Sequence, residues 1–156
     1  MKQITIPKDQ AVFRLDGNGR WHNRFGPFEH AKIINHFHTS IRKDDQGFHL
    51  CQEHEGVVEK VYFPYEDTAL FVFEVDFRDP AMVTLNTGRK LALQPENLFV
   101  VGDCMYLRID GDRAKFTDRC LIKMAPLLSY EGDQYVLKIN GQSFVVSDNS
   151  SPDGPV

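Results

Sequence analysis

Apolar and polar positions alternate most regularly between Val57 and Phe77, and this alternation predicts two strands joined by a reversal. In the second strand Ala69, Phe71, Phe73, Val75 and Phe77 fall on one side, with Glu74 and Asp76 on the other. In the first, Val57, Val61 and Phe63 share a face with Glu59, so a carboxylate points where its neighbours are apolar. Pro64-Tyr65-Glu66-Asp67 supplies the reversal. Upstream, Ile4 and Ile6 alternate briefly, and Asp16-Gly17-Asn18-Gly19 is a turn that leads into Arg20-Trp21-His22. The spacing of Ile33, Ile34, Phe37 and Ile41 predicts a helix over about 27–42, opened by Gly26-Pro27 and closed near Arg42-Lys43, with His30 on its apolar stripe. Asp44-Asp45-Gln46-Gly47 then turns the chain into a strand at Phe48-His49-Leu50-Cys51.

After Arg78-Asp79-Pro80 the segments shorten, and no histidine follows His54. This predicts a seam between an N-terminal half, 1–78, and a C-terminal half, 79–146. In the second half, strands are expected at Met82–Leu85, Leu91–Leu93, Cys104–Ile109, Arg113–Phe116, Tyr135–Ile139 and Phe144–Val146. A helix over about 118–129, capped by Thr117 or Asp118, carries Cys120, Leu121, Met124 and Leu128, with Pro126 kinking or restarting it. Residues 147–156, rich in Ser, Asp, Pro and Gly, are expected to be a disordered tail. Asp16-Gly17 to Phe63 and Asp110-Gly111 to Val146 follow a similar order of turn, strand and helix. The reading is an α+β fold of two related small halves of antiparallel strands, each with one helix, and a groove where they meet as a natural ligand site.

Composition narrows the function classes. The chain has 156 residues, 42% of them hydrophobic, and a formal charge of -4 with basic residues dispersed, which argues against a non-specific nucleic-acid surface or a polybasic membrane patch. Cys51, Cys104 and Cys120 lack Cys-x-x-Cys spacing and read as reduced core thiols. No apolar run approaches the roughly 20 residues of a bilayer span, and the N-terminus lacks a signal-peptide core, so a cytoplasmic protein is expected.

Asp16-Gly17 with Arg20-Trp21, Gly26-Pro27 with the following helix to Ile41-Arg42, Gly47-Phe48-His49-Leu50, Glu59-Lys60-Val61, Glu66-Asp67 before Phe71, and Tyr106-Leu107-Arg108 leading to Arg119 form an ordered set. In that order and spacing, over most of residues 16–145, the chain resembles the bacterial family known as domain of unknown function 1285. The resemblance implies an α+β protein whose second half is superficially like a pleckstrin-homology fold. It also implies a nucleotide-like ligand at the interface of the halves and a role in signal transduction. The chain departs from the family pattern at Thr68-Ala69-Leu70-Phe71, which lacks the family's proline, and around Asn140-Gly141-Gln142-Ser143.

For a small anionic, nucleotide-like ligand, the candidate residues are Arg20, Lys60, Arg108 and Arg119 for charge, joined by Arg113, with Trp21 and Tyr106 as stacking faces. Glu59, Glu66 and Asp67 complete the candidate set, Glu59 because a carboxylate among apolar neighbours needs a partner or a raised pKa. No P-loop, dinucleotide-binding or nucleophile motif is present, so no catalytic residue and no cofactor is assigned. The histidines, all between His22 and His54, lack metal-ligand spacing: His36 and His38 point to different faces of a helix, and His49 and His54 straddle a strand and a turn. No metal is assigned. A ligand-binding or regulatory module is the leading reading. The alternatives are a metal-assisted hydrolase using Glu59 and the histidine-rich half, or a protein-interaction module presenting a sheet edge to a protein partner.

Overall fold

Four two-residue hairpin turns carry both central residues at positive φ: Glu55-Gly56 (52° and 77°), Asp110-Gly111 (50° and 84°), Gly132-Asp133 (55° and 64°) and Asn140-Gly141 (51° and 77°). Such turns twist in the sense of the strands they join, so each one locks an antiparallel pair into register. They organise much of the computed structural model, which describes residues 2–150. The chain divides into two compact units, one ending at Ala69 and the other beginning at Leu70.

The first unit contains β1 (Lys2–Ile6), β2 (Phe13–Leu15), β3 (Trp21–Asn23), β4 (Gly26–Pro27), α1 (Ala31–Thr39), β5 (Ile41–Asp44), β6 (Gly47–His54) and β7 (Val57–Tyr62). A four-stranded sheet runs β1-β7-β6-β5, with β1 parallel to β7 and the other pairs antiparallel. A small sheet runs β2-β3-β4. The core is aromatic: Trp21 is 1% exposed and packs edge-on against Phe13, Phe37 and Phe63 at ring separations of 5.8, 5.3 and 5.0 Å. The helix is shorter than its sequence pattern. Gly26-Pro27 pairs with Asn23 and His22 as a strand, and Ile41 opens β5 and pairs with Leu50. His30 is the exposed N-cap residue of α1 and is not part of a buried stripe, and Ile33 is 46% exposed.

The second unit contains β8 (Leu70–Asp76), β9 (Met82–Leu85), β10 (Lys90–Ala92), β11 (Leu98–Val101), β12 (Cys104–Ile109), β13 (Asp112–Phe116), α2 (Asp118–Met124), β14 (Leu128–Glu131), β15 (Gln134–Ile139) and β16 (Gln142–Asp148). Its nine strands are ordered β10-β9-β8-β13-β12-β11-β16-β15-β14, parallel only at β8–β13 and β11–β16. Thr117 caps α2 by accepting from the Cys120 N–H, and Ala125–Leu127, which contains Pro126, is a 3-10 turn that ends the helix before β14. The core gathers alternate residues of neighbouring strands: Val72 and Val75, Met105, Leu107 and Ile109, Ala114 and Phe116, closed by Cys120 and Met124 of α2.

Strand β8 departs from simple alternation. Val72 pairs with Leu85 and Glu74 with Thr84, so Phe73 is an extra residue, a β-bulge. The bulge shifts the phase, and Val72 and Val75 both face the core, with Leu70 and Phe77 packed against it. The expected single face of Phe71, Phe73 and Val75 is therefore broken. β8 pairs with β9 and β13 and lies in the second unit, so the boundary falls at 69/70, where composition suggested 78/79. The strand orders of the two units do not repeat one another: a four-stranded and a three-stranded sheet in one, nine strands in the other. β16 extends to Asp148, and Ser150 Oγ accepts from the Gly102 N–H, so 147–150 are ordered. The rest of the expected tail, 151–156, lies outside the described residues. Among the described residues, no helix is long and apolar enough to cross a membrane.

Candidate functional site

The register β5-β6-β7 brings Asp44, His49, Lys60 and Tyr62 onto one face of the first sheet, because Arg42, His49 and Tyr62 are successive cross-strand partners and Asp44 and Lys60 lie two residues along. Asp44 accepts hydrogen bonds from the Tyr62 hydroxyl at 2.6 Å, the Lys60 ammonium at 3.1 Å and the Gln46 N–H at 2.9 Å. His49 is buried, with Nδ1 3.8 Å from the same carboxylate. The Tyr62 hydroxyl bond, joined by Lys60, holds the Asp44 carboxyl well below the usual carboxylate range. Accepted by Asp44, the Tyr62 phenol is pushed up to about 12. Neither group exchanges a proton near neutral pH, so the cluster is a clasp on the β5–β6 hairpin and not an acid-base pair.

A second network holds the turn after β2. Asp16 accepts from the Asn18 and Arg20 N–H groups and contacts His22 Nε2 at 2.7 Å. Burial raises the Asp16 carboxyl, but these bonds outweigh it and leave the pKa lowered. Glu66 reaches the same turn, accepting from the Gly17 N–H at 2.8 Å and from Arg14 at 3.2 Å. Trp21 Nε1 donates to His38 Nδ1 at 3.3 Å inside the aromatic core. Burial drives the His38 pKa down to about 4, against a smaller upward pull from its hydrogen bond with the Gly19 backbone.

In the second unit, Phe99 and Tyr106 are register partners stacked 5.3 Å apart, with Arg108 over Phe99 at 4.4 Å and Arg113 over Tyr106 at 4.5 Å. Each unit carries a concavity. One, about 540 Å³, is lined by Glu74, Asp76, Arg78, Thr84, Lys90 and Lys123. Glu74, Thr84 and Lys90 form one cross-strand row over β8-β9-β10. Arg78 forks onto Asp76 at 2.6–3.1 Å and draws its pKa down to about 2, while Lys123 donates to the Val75 carbonyl. The other, about 460 Å³, lies in the first unit between the β3–β4 hairpin and α1, and is lined by Phe25, Phe28, Glu29, Ile33 and Phe37 among others.

The structure distributes the residues expected from sequence. Trp21 and Tyr106 are both buried: one is a core plug, and the other is 4% exposed with its ring faces against Phe99 and Arg113. Glu59 is half-buried at the β1 side of its sheet, opposite Ile4 and Gln52, and has no hydrogen-bond or ion-pair partner among the described residues. Lys60 belongs to the Asp44 clasp and Glu66 to the Asp16 turn; Asp67 is half-buried, and Arg20, Arg108 and Arg119 are exposed. Among the described residues no group of three His, Cys, Asp or Glu side chains is placed to hold a metal. Asp44 and His38 were missed because their partners come from remote strands, and the charged cleft was missed because its row crosses three strands.

No family model matches the chain, and no curated protein matches it. Two solved structures share its fold. A DUF1285 family protein from Silicibacter pomeroyi DSS-3 superposes with a TM-score of 0.64 at 14% identity, over 94% of this chain and 84% of that one. A DUF1285 family protein from Shewanella baltica OS155 gives 0.52 at 18% identity, over 74% of this chain and 91% of that one. Both carry the family name that the sequence resembles, and the chain has their fold.

Proposed function

We propose that the chain is a non-catalytic binding module for a small phosphorylated ligand of nucleotide-like chemistry, received in the cleft over β8, β9 and β10 beside α2. One observation carries this reading: Lys90, Lys123 and Arg78 surround a concavity of about 540 Å³, within the range of small-molecule sites. Asp76 forks with Arg78 and also lies within reach of the Lys123 charge, and Glu74 is the other carboxylate lining the cleft. Phosphate oxygens fit the lysines, the Thr84 hydroxyl can donate to one of them, and Glu74 can accept from a ribose hydroxyl or an exocyclic amine. A regulatory use follows from the same geometry. The cleft offers no activated nucleophile, since burial raises the nearby Cys120 thiol and Cys120 points at the Val72 carbonyl. Occupancy read by a protein partner would be the signal.

The test is isothermal titration with adenosine mono-, di- and triphosphates, ribose 5-phosphate and inorganic phosphate, on the parent and on Lys90→Ala and Glu74→Gln. Lys90 and Glu74 are exposed, so both variants should fold as the parent does. Binding weakened about tenfold by Lys90→Ala, the loss of one charge-assisted hydrogen bond, supports the reading. Glu74→Gln should shift preference among the sugar-bearing ligands while leaving inorganic phosphate unaffected. No heat with any member of the panel would remove the proposal.

A further inference from the structure

Asn23, Arg24, Phe25 and Gly26 form the tight turn of the β3–β4 hairpin, in which Asn23 pairs with Gly26 across the two central residues. Asn23 Oδ1 accepts from the Phe25 N–H at 2.8 Å, and Gly26 takes φ +125°, a conformation side chains resist, so the turn is held in one shape. What it holds out is an aromatic ring. Phe25 is 84% exposed, with the Arg24 guanidinium 5.0 Å from its ring. A rigidly displayed phenyl ring with nothing to cover it contributes little to folding, and it stands beside an apolar groove.

That groove, about 460 Å³, is floored by Phe28, Ile33 and Phe37, and Glu29 lines it. Glu29 is exposed and has no hydrogen-bond or ion-pair partner among the described residues. Ile33 is 46% exposed, and Val12, one residue before the Phe13 that pairs with Asn23, is 77% exposed. Val12, Phe25 and Ile33 therefore extend the apolar character around the groove. The same small region carries a projecting Arg-Phe pair and a receptacle made of an apolar floor and a carboxylate. Knob and socket of matching chemistry on one surface are what an isologous two-fold contact needs, because each copy gives what the other receives.

We infer that this region is the contact between two copies of the chain. Phe25 of each copy enters the groove of the other, and Arg24 of each meets Glu29 of the other. The two-fold relation closes the contact at a dimer; a head-to-tail use of the same parts would build an open chain of copies. The ring is pre-positioned by the turn, so little freedom is lost on docking.

The experiment is sedimentation velocity from micromolar to millimolar protein on the full chain, with Phe25→Ala, Arg24→Glu, Glu29→Arg and the double variant Arg24→Glu/Glu29→Arg. The parent is expected to pass from monomer to dimer. Phe25→Ala should weaken the dimer by about thirtyfold or more, the effect of truncating an interface anchor. Each single charge reversal should weaken it, and the double variant should recover it, a recovery that general loss of stability would not produce. Trp21 fluorescence, which reports the core of this unit, should be the same in all variants. A parent that stays monomeric at millimolar concentration overturns the inference. So does a dimer indifferent to Phe25→Ala, a double variant no better than the singles, or assembly that grows past two.

Discussion

Replacing His38 with glutamine should remove the loss of stability that this histidine brings to the first unit between neutral pH and about pH 4. His38 is 3% exposed, accepts from the indole of Trp21, and has its pKa lowered by burial from 6.5 to about 4. Between those two values the unfolded chain binds a proton that the folded chain refuses, so stability is full above about 6.5 and falls as the pH drops. The slope approaches about 1.4 kcal/mol per pH unit, which amounts to a loss of about 2 kcal/mol near pH 5 and about 3 kcal/mol once the pH reaches the folded value. Glutamine keeps an acceptor for the indole but does not titrate, so whatever packing loss it brings is the same at every pH. Urea unfolding followed by fluorescence is the assay, because the only tryptophan in the chain is the one that touches His38. The parent should lose about 2 kcal/mol more than His38→Gln between neutral pH and pH 5. Parallel profiles for the two proteins would refute the reasoning, since they would mean that the His38 proton affinity is not altered by folding.

Two further outcomes follow from hydrogen bonds in the two units. Asn86 is 4% exposed, and its side-chain oxygen accepts from the Phe71 N–H at 2.9 Å, so Asn86→Ala leaves a buried donor without this acceptor and should cost about 1–3 kcal/mol by chemical denaturation. Tyr62→Phe removes the strongest hydrogen bond to Asp44, and the Asp44 carboxyl should titrate nearer the ordinary carboxylate value, followed by its side-chain carbon resonance in an NMR pH series. The stability that Asp44 contributes, present above its unfolded pKa and lost as the pH falls through its folded one, should then be lost at a higher pH than in the parent.

Much of the strand pattern is local and was legible in the chain. Met105, Leu107 and Ile109 alternate into the core as their spacing implies, and the Asp-Gly and Asn-Gly pairs mark hairpins where they fall. The misreadings share a cause, which is that alternation names a face but not what covers it. Glu59 does lie among apolar residues, yet its register neighbour Ile4 is 37% exposed, because β1 is the edge of the sheet and that end of the face is open. Gly26-Pro27 is a sound helix start in isolation, but cross-strand pairing with Asn23 and His22 captures it first. Ion pairs are less legible than strands for the same reason: Asp44 lies in a turn motif sixteen residues before Lys60, and only the register of β5, β6 and β7 brings the two together.

Phe73 bears on which changes of length this chain can survive. On its N-terminal side Phe71 and Val72 are both fully buried; on its C-terminal side Val75 is buried and Glu74 is exposed. Removing Phe73 would close the bulge and leave the ladder in register: Val72 would still stand opposite Leu85, and Glu74, now its direct neighbour, opposite Thr84. Alternation counted from Val72 would run without a break, with Glu74 outward and Val75 inward as they already are, and the row of Glu74, Thr84 and Lys90 would survive. Removing a residue from within the paired run, Val75 for instance, would instead draw Asp76 opposite Val83 and turn a carboxylate towards the core. Among single-residue deletions in β8, that of Phe73 should therefore be the one that descendants of this sequence tolerate best.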